Sequence, residues 1–519
     1  MKKVAENIFL AVLSGGLGSL AFPPFEFSFL GWVCLVPIFF IAKRNRPFSA
    51  FGYSYLAGVI FFGCVLYWLV NVSRPGMIAL VLILALFYGI FGLFSWHVLK
   101  KSMDLLILPF GWVALEYLRS HLFTGFPWAL LGYSQYKDIY LIQVADITGA
   151  YGVSFLIVAV NAAMFGLCIR SARRKAYLAV ALVFLIMTTV YGVYRVNERH
   201  VRGSARISVV QGNIPQQHKW DMVFAEEIVE KYEAMTRLAV ENDPDMIIWP
   251  ETAYPYLVKN DDPAACDIAE LAFETDTPIM AGVVYGDDGT YYNGAVLFSR
   301  KGDLESVYRK THLVPFGEYV PFEKKLAFLR KYIDKPIGDF ESGNEYTLFP
   351  LKVLRSAVTE DGAKTRQIDF YKFGVLICFE DVFPYVAREF TRAGADFLVN
   401  ITNDAWFGET AAAKQHLMAS VFRAVENKVP VIRAANTGIS CFVEPTGRIL
   451  PGVRSGEKDI FVEGFATEDV RMYAGRTCYT QNGDIFVWFC VFMLGLLLAV
   501  EKMLRRSRPV SAQLASGSE

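Results

Sequence analysis

The 519-residue sequence has no excess of either charge, since 51 basic residues balance 51 acidic ones. Proteins that bind nucleic acid usually carry a basic surface, so this balance argues against a nucleic-acid partner. Cysteine and histidine pairs at metal-binding spacings are missing, and so are glycine-rich phosphate loops and internal repeats. The sequence therefore predicts neither a metal centre nor a bound cofactor, and it gives no sign of a repeat architecture.

Long apolar runs, by contrast, are abundant, and hydrophobic residues make up 54% of the chain. Runs near the ~20 residues needed to cross a bilayer lie before residue 196 and again near the C-terminus. Lys2 and Lys3 precede the first run as in a signal peptide, but the further runs favour an uncleaved anchor. The eight predicted membrane spans cover residues 7–22, 27–42, 50–70, 77–99, 104–120, 151–169, 176–194 and 484–501.

The charges of the loops between these spans predict an orientation. Every second loop is basic, whereas the short loops between them hold little beyond Arg74 and Lys137. Because basic loops stay in the cytoplasm, we expect both termini there and the segment after the seventh span on the outer side. The basic groups are Lys2/Lys3, Lys43/Arg44/Arg46, Lys100/Lys101, Arg170/Arg173/Arg174/Lys175 and Lys502/Arg505/Arg506/Arg508.

Two features of the membrane part allow a functional interpretation. Glu116 lies in or near the fifth span, where an ionisable residue is a functional candidate. Glu116 and Arg119 are also spaced to form an i,i+3 ion pair, and both interpretations remain open. Residues 121–151 are aromatic and apolar but too broken to span, so we expect them at the outer interface, where Trp and Tyr collect.

The soluble segment alternates short apolar strands with helical stretches, which predicts an α/β domain. Residues 195–206 are typical of a polar linker before it. The predicted organisation is a membrane domain of seven transmembrane helices at 1–196, a catalytic domain at 205–470, an eighth transmembrane helix at 484–501 and a basic, then disordered, tail at 502–519.

Three predicted strands each end on a residue with reactive chemistry. Met246–Trp249 leads to Glu251, Glu305–Tyr308 leads to Lys310, and Phe373–Ile377 leads to Cys378. Strand ends meet along one edge of a parallel or mixed sheet, so a carboxylate, an ammonium and a thiol are predicted to lie together. Each has an ordinary alternative: a helix-capping Glu251, a solvated Lys310 and a buried packing thiol.

The motifs around these residues resemble the catalytic blocks of the nitrilase (carbon–nitrogen hydrolase) superfamily. They are Trp-Pro-Glu at 249–251, Arg-Lys-Thr-His-Leu-Val-Pro-Phe-Gly-Glu-Tyr at 309–319, Ile-Cys-Phe-Glu-Asp at 377–381 and Asn-Ile-Thr-Asn-Asp-Ala-Trp-Phe-Gly at 400–408. With the domain inserted before the last span, the chain resembles the bacterial apolipoprotein N-acyltransferases over nearly its full length.

The resemblance implies a four-layer αββα domain that faces the periplasm on an eight-helix base in the inner membrane. It also implies a catalytic triad of Glu251, Lys310 and Cys378. Phe379 departs from the tyrosine familiar at this position, which puts a phenol role in doubt but leaves a backbone N–H. The resemblance further suggests supporting carboxylates at Glu318 and Glu380, a mobile-loop tryptophan at Trp220 and substrate contacts at Trp128, Phe316 and Trp406.

The implied reaction transfers a fatty acyl chain from a phospholipid to the N-terminal α-amine of diacylglyceryl-cysteine in an apolipoprotein. A Cys378 thioester would make the kinetics ping-pong. A membrane-anchored amidase or nitrilase would share the triad without needing seven spans before the domain. A non-catalytic sensor or transporter should show paired charges or broken helices in its spans. A disulfide among Cys266, Cys441 and Cys478 stays open, because these thiols would share the oxidising side.

Overall fold

The computed structural model describes residues 1–100, 105–198, 201–259, 266–319, 340–358 and 364–506. Within this part of the chain, five helices are long and apolar enough to cross a membrane. Each of them coincides with a predicted span. They are Pro47–Val65, Arg74–Lys100, Ala150–Cys168, Arg174–Asn197 and the last helix, Ile485–Arg506.

The other three predicted spans do not form helices of that kind, so the count of eight is not confirmed. The first lies in the helix Lys2–Leu20, and the fifth becomes the 14-residue helix Leu108–His121. The second is wrong as a continuous span, because a 3₁₀ turn at Ser28–Trp32 precedes a separate helix, Val36–Arg44. Pro37 lies in the first turn of that helix, where its missing N–H is tolerated but a helix arriving from upstream is broken.

The soluble segment contains two β-sheets. The first has the order β13-β1-β2-β4-β5-β6, with β3 also paired to β4, and the second has the order β12-β11-β10-β9-β8-β7. The strands of the first sheet are β1 (Val201–Gln211), β2 (Met246–Ile248), β3 (Leu257–Lys259), β4 (Ile279–Asp287), β5 (Thr290–Phe298), β6 (Leu304–Arg309) and β13 (Gly464–Tyr473). Those of the second are β7 (Phe349–Val358), β8 (Lys364–Ile377), β9 (Phe397–Thr402), β10 (Val431–Ala435), β11 (Cys441–Val443) and β12 (Ile449–Leu450).

Helices cover the outer face of each sheet. Ala225–Val240 and Asp267–Glu274 pack on the first sheet, while Pro384–Ala393 and Ala412–Asn427 pack on the second. One apolar core lies between the sheets and continues into the membrane helices. A second core lies between the first sheet and its two helices. The α/β prediction is therefore confirmed. The short helix Ala145–Thr148 of the membrane part packs against Ala412–Asn427 and Cys478–Asn482.

The predicted boundaries differ from the observed ones at two places. The linker expected at 195–206 is wrong, because β1 already begins at Val201 and pairs with β13 as far as Tyr473. The exposed side chain of Arg206 in β1 binds Asp469 in β13, with 3.0 Å between nitrogen and oxygen. Polar side chains of this kind at the start of β1 resemble the composition of a linker. The predicted tail begins inside the last helix, and residues 507–519 lie outside the described residues.

Candidate active site

The three strand ends meet at one place in the structure. The Nζ atom of Lys310, just after β6, lies 3.9 Å from the Oε1 atom of Glu251, which follows β2. Cys378 directly follows β8 in the other sheet, and its thiol is close enough to both residues that each shifts its pKa. The site therefore lies between the two sheets, at their common edge.

Cys378 forms a sharp corner between β8 and a 3₁₀ turn at Cys378–Val382. Its φ angle is 53°, a left-handed value that costs energy in a residue with a side chain. The main-chain oxygen of Cys378 accepts a hydrogen bond of 3.1 Å from the side chain of Asn400, which helps to hold this corner. Burial raises the pKa of the Cys378 thiol, Glu251 raises it further, and Lys310 lowers it. The thiol therefore needs a neighbouring base before it can act as a nucleophile.

Glu251 is held by hydrogen bonds to both of its carboxylate oxygens. The side chain of Asn293 donates to Oε1 at 2.8 Å, and the backbone N–H of Asn403 donates to Oε2 at 2.9 Å. Only 7% of Glu251 is exposed. A carboxylate fixed in this way, beside a thiol, is placed to accept a proton, and it does not cap a helix as the alternative interpretation supposed.

Lys310 is not a surface charge, since 1% of it is exposed. Its Nζ atom donates to the Oε1 atom of Glu318 at 2.9 Å, and Asn293 donates to the same oxygen at 2.7 Å. Burial would lower the pKa of Lys310, but Glu318 and Glu251 together raise it above its ordinary value. The ammonium is therefore charged and held in a fixed position.

Glu380 supports the site from behind. Its Oε1 atom accepts the backbone N–H groups of Thr311 and His312 at 2.8 and 3.0 Å, and the Tyr308 hydroxyl at 2.9 Å. Its Oε2 atom accepts the N–H of Ile377 at 2.8 Å. The carboxylate thereby ties the loop after Lys310 to the strand that carries Cys378.

Aromatic residues from the membrane part form one wall beside Cys378. The Trp128 ring is stacked on Phe379, with ring centroids 6.1 Å apart, and Phe126 lies at the same distance. Phe383 meets Phe379 edge-on at 5.1 Å. Phe379 thus packs as an apolar residue, which explains why a ring without a hydroxyl fits here.

The four predicted substrate contacts occupy different settings. Trp128 is buried, and its indole N–H donates to Gln415 at 2.9 Å. Trp220 is 53% exposed and Phe316 is 40% exposed, each on a loop beside the site. Trp406 lies in the 3₁₀ turn Asp404–Phe407, which follows β9. In the structure Trp128 packs against Phe379, whereas the Trp220 and Phe316 side chains are exposed to solvent.

Glu116 and Arg119 have a shared structural role. Both are buried, and Glu116 accepts the N–H of Leu131 at 2.7 Å. Arg119 donates to the backbone oxygens of Phe126 and Trp128 at 2.9 and 2.7 Å. The two charged residues thus hold residues 121–151, the aromatic stretch, in place beside the site.

Several residues of the site were missed by sequence reasoning. Asn293 lies in the middle of β5 and Lys219 in a loop, so neither follows a strand end. Behind Cys378, His416 contacts Asp381 at 2.8 Å and Asp404 at 3.1 Å. Burial lowers the pKa of His416, but the two carboxylates raise it to about 9 overall. The only sequence signal for His416 was a polar residue on the apolar face of a helix.

All eight cysteines are free thiols. Cys266 and Cys441 are buried, whereas Cys478 is exposed. The disulfide left open by the sequence does not form, and Cys378 has no competing sulfur partner.

Comparison with known proteins agrees with this architecture. Residues 14–163 match the family model "Apolipoprotein N-acyltransferase N-terminal domain", and residues 206–474 match "Carbon-nitrogen hydrolase". The apolipoprotein N-acyltransferase of Geobacter metallireducens is 38% identical over 94% of this chain and 93% of its own length. The chain belongs to the apolipoprotein N-acyltransferase family. The member from Pasteurella multocida is 30% identical over 98% of this chain and 97% of its own.

Part of this apolipoprotein N-acyltransferase family member is similar to a solved amidase structure. The amidase from Nesterenkonia sp. is 18% identical, with a TM-score of 0.37, and the match covers 56% of this chain and 98% of the amidase.

Proposed function

We propose that the protein transfers a fatty acyl chain from a phospholipid to the N-terminal α-amine of diacylglyceryl-cysteine in an apolipoprotein. The observation that carries the proposal is a half-buried thiol near Glu251 and Lys310, whose neighbour Phe379 packs against Trp128 of the membrane part. A site that joins a thiol to an apolar wall from the membrane part fits a substrate whose acyl chain lies in lipid. The names of the related proteins specify the apolipoprotein acceptor.

The first half of the reaction forms a thioester. Glu251 takes the proton of the Cys378 thiol as the sulfur attacks the carbonyl carbon of the phospholipid ester. Lys310 and the backbone N–H of Phe379 stabilise the tetrahedral oxyanion. The intermediate collapses, the C–O bond breaks, and the leaving oxygen regains the proton from Glu251 as lysophospholipid departs.

The second half regenerates the thiol. The α-amine of the diacylglyceryl-cysteine attacks the thioester carbonyl, and Glu251 accepts the proton that the amine loses. The C–S bond then breaks, an amide is formed, and the proton returns to Cys378. No water, metal or cofactor takes part in either half.

The proposed orientation has both termini in the cytoplasm and the soluble domain in the periplasm. In this proposal the chain crosses the membrane eight times. The five apolar helices supply five crossings, and the helix Lys2–Leu20, the broken segment 28–44 and the helix Leu108–His121 supply the other three. Two contacts support it. The Lys3 ammonium donates to the backbone oxygen of Arg44 at 3.1 Å, so two basic ends share one side. Asn71 donates to the backbone oxygen of Phe407 at 2.7 Å, so the opposite ends meet the soluble domain.

Fusions to alkaline phosphatase, which is active only in the periplasm, test this orientation. We expect activity from a fusion after residue 300 and none from a fusion after residue 508, because basic loops are retained in the cytoplasm. A cytoplasmic reporter such as green fluorescent protein at the same positions should give the opposite result. Phosphatase activity at 508 without activity at 300 would contradict the proposed orientation.

Lys310 is tested in an assay of acyl transfer from phospholipid to a peptide with an N-terminal diacylglyceryl-cysteine. The wild type should yield an amide-linked acyl chain, and an absence of this product would contradict the proposed function. Lys310→Ala should slow transfer by at least ~100-fold, because a donor to the oxyanion is lost. Lys310→Arg should also fail, because a planar guanidinium does not replace a compact ammonium.

The matched control is Lys458→Ala, which removes an exposed lysine bound to Glu409 at 3.0 Å. It should transfer at the wild-type rate. Near-normal transfer by both Lys310 variants would mean that Lys310 takes no part in the chemistry.

A further inference from the structure

A second lysine reaches the site from a loop that neither the triad nor the supporting carboxylates explain. Lys219 lies between β1 and the helix Ala225–Val240, and only 6% of it is exposed. Its Nζ atom donates to the backbone oxygen of Glu251 at 2.7 Å. A buried ammonium loses its hydration, so this position is costly unless nearby negative charge offsets the loss.

The segment 213–221 that carries Lys219 is docked by specific hydrogen bonds. Asn436 donates to the backbone oxygen of Ile214 at 2.8 Å and accepts the N–H of the same residue at 2.8 Å. Gln216 accepts from the side chain of Asn403 at 2.8 Å, and the backbone of Asn403 in turn binds Glu251. The ammonium is therefore placed by the docked segment, while the next residue, Trp220, stays exposed.

The charges around Cys378 are unbalanced without Lys219. Three carboxylates act on the single ammonium of Lys310: Glu251 and Glu380 are buried, and the side chain of Glu318 is 12% exposed. Behind the thiol, two carboxylates meet two cations, so that group balances itself; its members are Asp381, Asp404, His416 and Arg433. A thiolate or an oxyanion adds one more negative charge to a site that already has an excess.

We propose that Lys219 is a second cation of the active site, which offsets the negative charge formed at Cys378 while the segment 213–221 is docked. The inference rests on the proposed role of Cys378 as the nucleophile. Burial lowers the pKa of Lys219 to about 8, although Glu251 and Cys378 act to raise it. The side chain is thus mainly charged at neutral pH.

The test is the rate of Cys378 alkylation by iodoacetamide at pH 7, measured by mass spectrometry of the peptide that contains Cys378. Lys219 is charged at this pH, and the rate follows the small fraction of thiolate that is present. In Lys219→Met and Lys219→Gln alkylation should be about tenfold slower, because the thiolate loses a neighbouring cation. Lys219→Arg keeps the charge and should keep a rate nearer to that of the wild type.

The variants separate charge from docking. Gln retains a donor for the Glu251 carbonyl without the charge, so unchanged alkylation rates at pH 7 in both the Met and Gln variants would overturn the proposal and leave Lys219 as a docking residue only. If Lys219→Met fails to fold, the comparison of Gln with Arg carries the same test. Lys231→Met, which removes a partner of Glu463 at 2.6 Å, should leave the rate unchanged.

Alkylation needs no lipid substrate, so it stands apart from the proposed function. Slower alkylation of the neutral Lys219 variants, in a protein whose wild type transfers no acyl chain, would uphold the role of Lys219 and contradict the transferase. Normal acyl transfer by the wild type, with unchanged alkylation rates in those variants, would uphold the transferase and contradict the role of Lys219.

Discussion

Replacing Cys378 by alanine is expected to abolish the acyl-enzyme completely. After exposure to phospholipid, the wild-type peptide that contains Cys378 should carry the mass of one fatty acyl chain. The variant should show no adduct on any peptide and no acyl transfer. The physical reason is that the Cys378 thiol lies near a fixed carboxylate, Glu251, and a fixed ammonium, Lys310, so that one group can accept its proton and the other can stabilise the oxyanion.

Three other cysteines of the soluble part and its junction provide matched controls. Burial raises the pKa of Cys266 to about 11 and that of Cys441 to about 12, so both thiols stay protonated. Cys478 is exposed at the start of a short helix. Alanine at each of these positions should leave the Cys378 adduct intact. An adduct that persists in Cys378→Ala would show that another residue is the nucleophile.

The proximity of Glu251, Lys310 and Cys378 could be predicted because each residue follows a strand with a strong local signal. Apolar, β-branched runs before Glu251 and Cys378 predict buried strands, and the structure ends β2 at Ile248 and β8 at Ile377. Strand ends converge by the geometry of sheets rather than by any particular side chain. The sheets therefore bring Glu251 and Cys378 together, although the two residues are 127 positions apart in the sequence.

Lys219 and Asn293 could not be predicted in this way. Asn293 points into the site from the middle of β5, and its use depends on the register with β4, where it lies opposite Val284. Lys219 depends on how the loop folds back, which is decided by its bonds to the second sheet. These contacts join segments distant in sequence, so no local pattern specifies them.

The membrane part shows the same division. Uniformly apolar runs predict the five long helices, because length and hydropathy are local properties. The break at 33–35 also has a local signal, Pro37, whereas the short helix Leu108–His121 packs against Ala150–Cys168 and Ile485–Arg506, which are distant in sequence. Glu116 illustrates this point, since its carboxylate accepts the backbone N–H of Leu131, a partner that no local spacing predicts.

With phospholipid alone, the protein is expected to release about one lysophospholipid per active site and then stop. Adding a peptide with an N-terminal diacylglyceryl-cysteine should restart the release and produce an amide-linked acyl chain. The same peptide with a blocked α-amine should not restart it. Rapid quenching and mass spectrometry of the lipids measure both phases, and Cys378→Ala provides the baseline without a burst.

The pause is expected because a transferase and a hydrolase form the same thioester and differ in what is allowed to break it. A hydrolase holds a water molecule beside the thioester, whereas a transferase excludes water until an amine arrives. In this structure the residue after the nucleophile, Phe379, is covered by Trp128 and Phe126 of the aromatic stretch, and Glu116 and Arg119 hold that stretch in place. An acyl chain on Cys378 would therefore lie against an apolar wall, where water finds few hydrogen-bond partners. Steady release of free fatty acid without any peptide would contradict this reasoning and would assign the site to a lipid hydrolase.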